Sequence, residues 1–235
     1  MMSKVIAAAA AAILLAGGGV ALAQDSDVSE IVVTGSRMMD YEPTETPAIV
    51  LRKRADNVLT SIEVTCDTRD PAQRKAELKT TLQALIRGAA AAGIELAVES
   101  DDIVRRFNPD DLDAIIRAAS KADTSTATLT LKTRVQPTDS FESVTGRVAA
   151  FVKKTPKTGR TEVLMSNDWD LTLVGPGQYR GDIIALVAAD ANRTAAAFGP
   201  AYSVSIDGLT LPVSWYQSGP LELALYIPYR QAISK

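Results

Sequence analysis

Several groups of residues have the types and spacing that chemistry would require. Cys66 is the single cysteine in 235 residues. A lone cysteine in an exported chain makes no internal disulfide, so it serves as a small buried hydrophobe, a redox-active thiol or half of an intermolecular bridge. It shares strand parity with Ile62 and Val64, which favours burial. Asp110, Asp111 and Asp113 carry the oxygen ligands that calcium takes, as do Asn167, Asp168 and Asp170. The first set lacks a glycine at loop spacing and falls in a first helical turn, where carboxylates oppose the positive dipole end. The second falls at a strand boundary. Gly175-Pro-Gly177 with Gly181 precedes a helix, as an anion cradle would. Without the Gly-Lys-Ser/Thr of a phosphate loop it reads as a strand-to-helix turn.

The absences are equally informative. The chain has no histidine, which removes the usual general base, the commonest zinc ligand and every Ser-His or Cys-His nucleophile arrangement. No other pair of groups announces an acid and a base. The expectation is a non-enzymatic protein with no cofactor and no metal. Net charge is −3, and one unit more negative once Lys4 leaves with the leader described below. The basic runs are short, Arg52-Lys-Arg54 and Arg105-Arg106. Phosphate backbones demand clustered Lys and Arg, so nucleic acid is excluded as a partner.

The elements that would position these residues begin after a leader. Lys4 precedes the apolar run Val5 to Leu15, Gly17-Gly-Gly19 breaks it, and Ala21-Leu-Ala23 is an A-x-A cleavage site. Residues 1–23 therefore read as a signal peptide, residues 24–47 as a lead-in strand and linker bearing Pro43 and Pro47, and residues 48–235 as the domain. No later segment reads as a spanning helix. The destination is the periplasm of a Gram-negative cell, free or associated with the outer membrane.

Within the domain, Val58 to Cys66 alternates as a strand. Asp70-Pro71-Ala72-Gln73 opens a helix with a capping box, Leu78, Leu82, Leu85 and Ala89 form its stripe, and Gly93 ends it. Ile94 to Val98 is a short strand. A second helix starts at Asn108-Pro109, with Leu112, Ile115, Ile116 and Ala119 inward. In Thr126 to Val135, the odd-numbered residues should pack on helices and the even-numbered ones should meet water. Asp139 to Glu142 forms a capping box for a helix burying Phe141, Val144, Val148 and Phe151. Glu162 to Val174 is one long strand or two short ones. A long helix follows from Tyr179 to Phe198. Tyr202 to Ile206 and Leu209 to Val213 form a hairpin about Asp207-Gly208, and Leu221 to Tyr229 is a last alternating strand. Trp169, Trp215 and Tyr216 read as core or interface aromatics. Strand–helix–strand recurs in "VTCDTRDPAQRKAEL…IELAV" and "LTLKTRVQPTDSFESV…TEVLM". The fold class is α+β: an antiparallel or mixed sheet with amphipathic helices on one face and repeated strand–helix–strand units.

Five pieces carry a family resemblance: Ile31-Val-Val-Thr-Gly35, "LTSIEVTCDTRDPAQRKAEL", "LIRGAAAAGIEL", "ALVAADANRTAAAFGPAYSVSIDG" and "LELALYIPY". In type and spacing the chain resembles the SIMPL-domain (DUF541) proteins of the cell envelope. It departs from them in lacking a central Tyr-rich segment and in the longer gap after the first strand. The resemblance implies an envelope protein that self-assembles as a homo-oligomer, linked to stress defence, with no settled enzymatic activity.

A second resemblance concerns Glu30, Ile31, Val32, Val33, Thr34, Gly35, Ser36 and Arg37. "EIVVTGSR" is similar to the N-terminal segment of TonB-dependent receptors, where an extended peptide adds a strand to TonB. The chain itself is no such receptor, because about 22 strands of about 10 residues would consume nearly all of it. The alternative functions are thus an accessory of TonB-linked transport docking through Glu30–Arg37, or a periplasmic binder of small ligands. The competing expectation for Ile31 to Thr34 is an opening strand of the domain's own sheet.

Overall fold

The computed structural model describes residues 30–33, 48–100 and 103–235. The leader, the lead-in beyond Val33 and the docking candidates Thr34, Gly35, Ser36 and Arg37 lie outside the described residues. In chain order the strands are β1 (Glu30–Val33), β2 (Leu51–Arg54), β3 (Asn57–Cys66), β4 (Ile94–Ser100), β5 (Ile103–Arg106), β6 (Arg117–Ala118), β7 (Ser125–Arg134), β8 (Thr161–Met165), β9 (Asp170–Val174), β10 (Ser203–Asp207), β11 (Ser214–Gly219), β12 (Glu222–Tyr226) and β13 (Arg230–Ser234). The helices are α1 (Pro71–Ala92), α2 (Leu112–Ile115), α3 (Phe141–Lys154) and α4 (Arg180–Phe198).

The alternating strands build one large antiparallel sheet in the order β1-β9-β3-β7-β4-β5. The stretch from Thr161 to Val174 forms two strands, and both run along the same side of β3: β8 against Ile62–Cys66, β9 against Asn57–Leu59. At the break between them the Thr60 hydroxyl donates to the carbonyls of Ser166 and Asp168 at 3.2 and 2.9 Å. The outer side of β9 is covered by β1, whereas among the described strands β8 pairs with β3 alone.

The repeated rhythm in the sequence has a topological meaning. β3–α1–β4 and β7–α3–β8 are two β-α-β units, each with its strands separated by one strand of the other, giving β8-β3-β7-β4. This is the order of a split β-α-β arrangement. α1 and α3 lie on the same face, where Leu78, Leu82, Leu85, Val148 and Phe151 cover Ile62, Val64, Leu129 and Leu131. A second cluster joins Val58, Leu171 and Leu173 to α4 through Ile183 and Val187, and to Leu223 and Leu225 of the separate sheet β11-β12-β2. Trp169 packs against both clusters and meets Phe141 edge-on at 6.2 Å.

Local sequence chemistry departs from expectation at five places. The second helix is a 3-10 turn, Pro109–Asp111, and the single turn α2, because the chain leaves helical geometry at Ile116 (ψ 121°) to pair β6 with β7. The cap of α3 is Ser140, not Asp139: Ser140 and Ser143 close the box, and Asp139 instead takes the Arg147 guanidinium at 2.8 Å. Asp70 caps α1 as expected, but Gln73 donates to Glu77 rather than back to the cap. Asp207-Gly208 is no hairpin turn. β10 pairs with β13, and a Cβ at Gly208 (φ +97°) would stand 2.7 Å from the Pro228 carbonyl oxygen, so the glycine admits the returning backbone. The last strand stops at Tyr226, although Ile227 stays fully buried and Tyr229 packs on the core, and pairing begins again at β13.

The fifth departure concerns the even-numbered face of β7. Thr130 is buried at 5% exposure, and Leu59, Ala97 and Thr172 on the same face are more deeply buried still. The edge strands β1 and β5 come within 8 Å of each other, so the sheet curls over this face and removes part of it from water.

Candidate functional site

β3 carries polar side chains at both ends, and they converge on two different constructions. At its C-terminal end Cys66 lies under α1 at 1% exposure, as its parity requires. Glu77, two turns into α1, points at it. The Glu77 carboxylate accepts from the Thr68 hydroxyl at 2.6 Å, the Gln73 amide at 2.8 Å, the Arg160 backbone N–H at 3.1 Å and the Cys66 thiol at 3.3 Å. Hydrogen bonds to the charged form, Thr68 first and the Arg160 N–H second, outweigh burial and hold Glu77 down to about 2. Gly159 makes this possible. A Cβ there would lie 2.1 Å from the Glu77 carboxyl carbon, and its φ is +58°.

Just outside, the Arg160 guanidinium grips Asp67 through two bonds of 2.6 and 3.1 Å, and Lys121 approaches to 3.5 Å. Asp67 is held down to about 2, chiefly by Arg160. A cavity of about 540 Å³ opens here, lined by Thr65, Asp67, Lys121, Thr124, Arg160 and Glu162. A carboxylate so stabilised holds no proton to donate near neutral pH and is a weak base. The cluster ties α1, β3 and the approach to β8 together.

The N-terminal end of β3 borders a groove of about 600 Å³ on the curled face, lined by Asn57, Glu95, Lys132, Arg134, Gln178 and Tyr179. Asn57 donates to the Thr172 hydroxyl at 3.1 Å, and Asp56 accepts from the Val174 N–H at 2.8 Å. Lys53 stands 4.6 Å over the Tyr179 ring, a cation–π contact that braces β2 against the turn before α4. That turn is Gly175-Pro-Gly177. Its Gln178 side chain folds back onto the Val174 carbonyl at 2.8 Å, and Arg180 donates to the carbonyls of Leu209 and Leu211. The glycines thus serve a strand-to-helix turn.

The remaining candidates disperse. Asp113 pairs with Lys75 at 2.9 Å and Lys79 at 2.8 Å, while Asp110 and Asp111 are exposed in the 3-10 turn. Asp168 accepts from the Ser166 hydroxyl at 3.1 Å. Among the described residues no group of three or more His, Cys, Asp or Glu is arranged to hold a metal ion. Arg52 pairs with Glu222 at 3.0 Å and Arg54 caps carbonyls of Gln136 and Asp139. Of the docking segment, Glu30, Ile31, Val32 and Val33 are paired antiparallel with Val174, Leu173, Thr172 and Leu171. Sequence reasoning missed Glu77. Its signal was present: it sits four residues before Thr81 and eight before Leu85, on the buried stripe of α1. A charge on such a stripe implies partners.

Large apolar side chains are exposed elsewhere: Leu164 at 56%, Phe198 at 53%, and Leu186, Tyr202, Leu211 and Ile233 near 40%. Phe198 and Tyr202 form a tilted ring pair at 5.9 Å. No described helix is long and apolar enough to cross a membrane. The chain matches no family model and no curated protein.

Proposed function

We propose that this is an exported envelope protein of the SIMPL type, non-enzymatic, which works by assembling with copies of itself in the periplasm. The observation that carries the reading is the surface: Leu164, Phe198, Tyr202 and Ile233 stand exposed around strands that keep an edge unpaired among the described residues. Exposed apolar groups beside unpaired edges are what association covers. The A-x-A leader and the resemblance of the five sequence pieces support the compartment and the family, and a role in envelope stress defence follows from the latter. Static light scattering on the purified protein tests the assembly. Defined oligomers at micromolar concentration are expected, and a monomer at every concentration overturns the reading.

A further inference from the structure

We infer that the outer edge of β8 is the surface through which two copies of this chain pair, strand to strand, about a two-fold axis at Val163. The inference rests on the assembly reading above and names its contact. The chain from Thr161 to Val174 runs along all of β3, yet among the described residues β1 covers only its β9 half and β8 pairs with β3 alone. The Ser166 N–H donates to the Ser61 carbonyl at 2.9 Å, which fixes the alternation. Glu162 and Leu164 turn their backbone groups toward β3, and Val163 and Met165 turn theirs outward. The Thr161 N–H is used by the Thr158 carbonyl at 3.1 Å, leaving its carbonyl available to a partner.

Natural sheets blunt a bare edge with lysine, proline, a bulge or a cover. β8 reads Thr-Glu-Val-Leu-Met, is in register with β3 throughout, and leaves Leu164 56% exposed. The edge strand β5, by contrast, carries Arg105 and Arg106 and lies beside β1. The occupant follows from charge and register. In an antiparallel pair centred on Val163, Val163 meets Val163 of the second copy, Met165 meets Thr161, and Leu164 meets Glu162. The two Val163 residues exchange both backbone bonds, and each Met165 N–H reaches a Thr161 carbonyl. No like charges face each other, and the stem of Glu162 lies over Leu164.

The register makes the test sharp. Leu164→Glu sets a carboxylate against Glu162 of the second copy twice per interface, whereas Leu164→Lys sets an ammonium there. Both sites are exposed, and because Glu63 of β3 faces Leu164 within the chain, circular dichroism and a thermal melt check that each variant keeps its fold. Sedimentation velocity on the purified proteins should show at least tenfold weaker association for L164E, retained association for L164K, and recovery in the double variant E162K/L164E. Wild type that assembles equally well as L164E, or is broken equally by L164K, overturns the edge and leaves the assembly reading standing. Wild type that stays monomeric overturns both.

Discussion

The two ends of β3 handle polar groups in opposite ways. At Cys66, donors from α1, from the loop after β3 and from the approach to β8 converge on one carboxylate, and the glycine beside it leaves room for nothing else. At Asn57, side chains of both signs, Glu95, Lys132 and Arg134, spread along an open groove. A saturated cluster fixes geometry and tolerates no change of shape. A spread, wet one tolerates substitution and remains accessible to solutes.

The strongest way to break this contrast is through the cores beneath. Leu82 sits under the Cys66 end and Leu225 under the Asn57 end, both fully buried. Leu82→Ala and Leu225→Ala should each cost about 2–5 kcal/mol in denaturant melts. Because β3 contributes to both clusters, each variant should lower a single transition. Two separate transitions would show that the ends are independent.

Glycine substitutions sharpen it next. Gly159→Ala forces a side chain to φ +58° against Glu77, and should lose about 1–3 kcal/mol from backbone strain alone. Gly177→Ala meets nothing within 4 Å, has no positive φ, and should be close to neutral. Equal losses would remove the distinction.

Acid offers a third test. The native pKa of Glu77 and that of Asp67 lie near 2, below the unfolded values of about 4. The unfolded chain therefore binds more protons over that interval, so the contribution of these groups is complete above about pH 4.5 and disappears as pH falls through about 2. Glu77→Gln should lower the melting temperature at pH 7 and flatten its decline between pH 4.5 and 2. An unchanged acid limb would argue that Glu77 is not held as described. A smaller readout is the thiol: Cys66 should react with a soluble disulfide reagent only on unfolding, and labelling of the native protein at the unfolded rate would contradict its burial. Least of all, Arg193→Ala removes an exposed i,i+3 pair with Asp190 and should shift stability by no more than about 0.5 kcal/mol.

Much of this was legible in the chain. Alternation placed β3 and β7, and the stripe Leu78, Leu82, Leu85, Ala89 placed the inner face of α1, because burial on one side imprints a period on the residues. The α+β class followed from one-sided strands, which left the sheet antiparallel or mixed; the pairings make it antiparallel. What escaped depended on partners distant in sequence. β10 chose β13 over its neighbour, Ile116 left the helix to let Arg117 and Ala118 reach β7, and Thr130 was buried by curling of strands that its own neighbourhood does not encode. The two expected capping boxes failed locally: Asp139 binds Arg147 of the helix it precedes while Ser140 takes the cap, and Gln73 donates one turn ahead to Glu77. Of the site, Cys66 was placed correctly, while its carboxylate partner was overlooked as one more charge on a helix.

The central position of β3 also governs when this fold can form. Thr60 waits for Leu131, Val64 for Val163 and Val58 for Leu171. A chain emerging from its N-terminus therefore has its middle strand, with α1 behind it, ready long before any strand beside it exists, and nothing nearby in sequence can complete its pairing. Closing such long loops before the contacts repay them makes folding slow. The chain would stay unfolded until most of it had been released, the condition in which a polypeptide can still be threaded through a narrow pore.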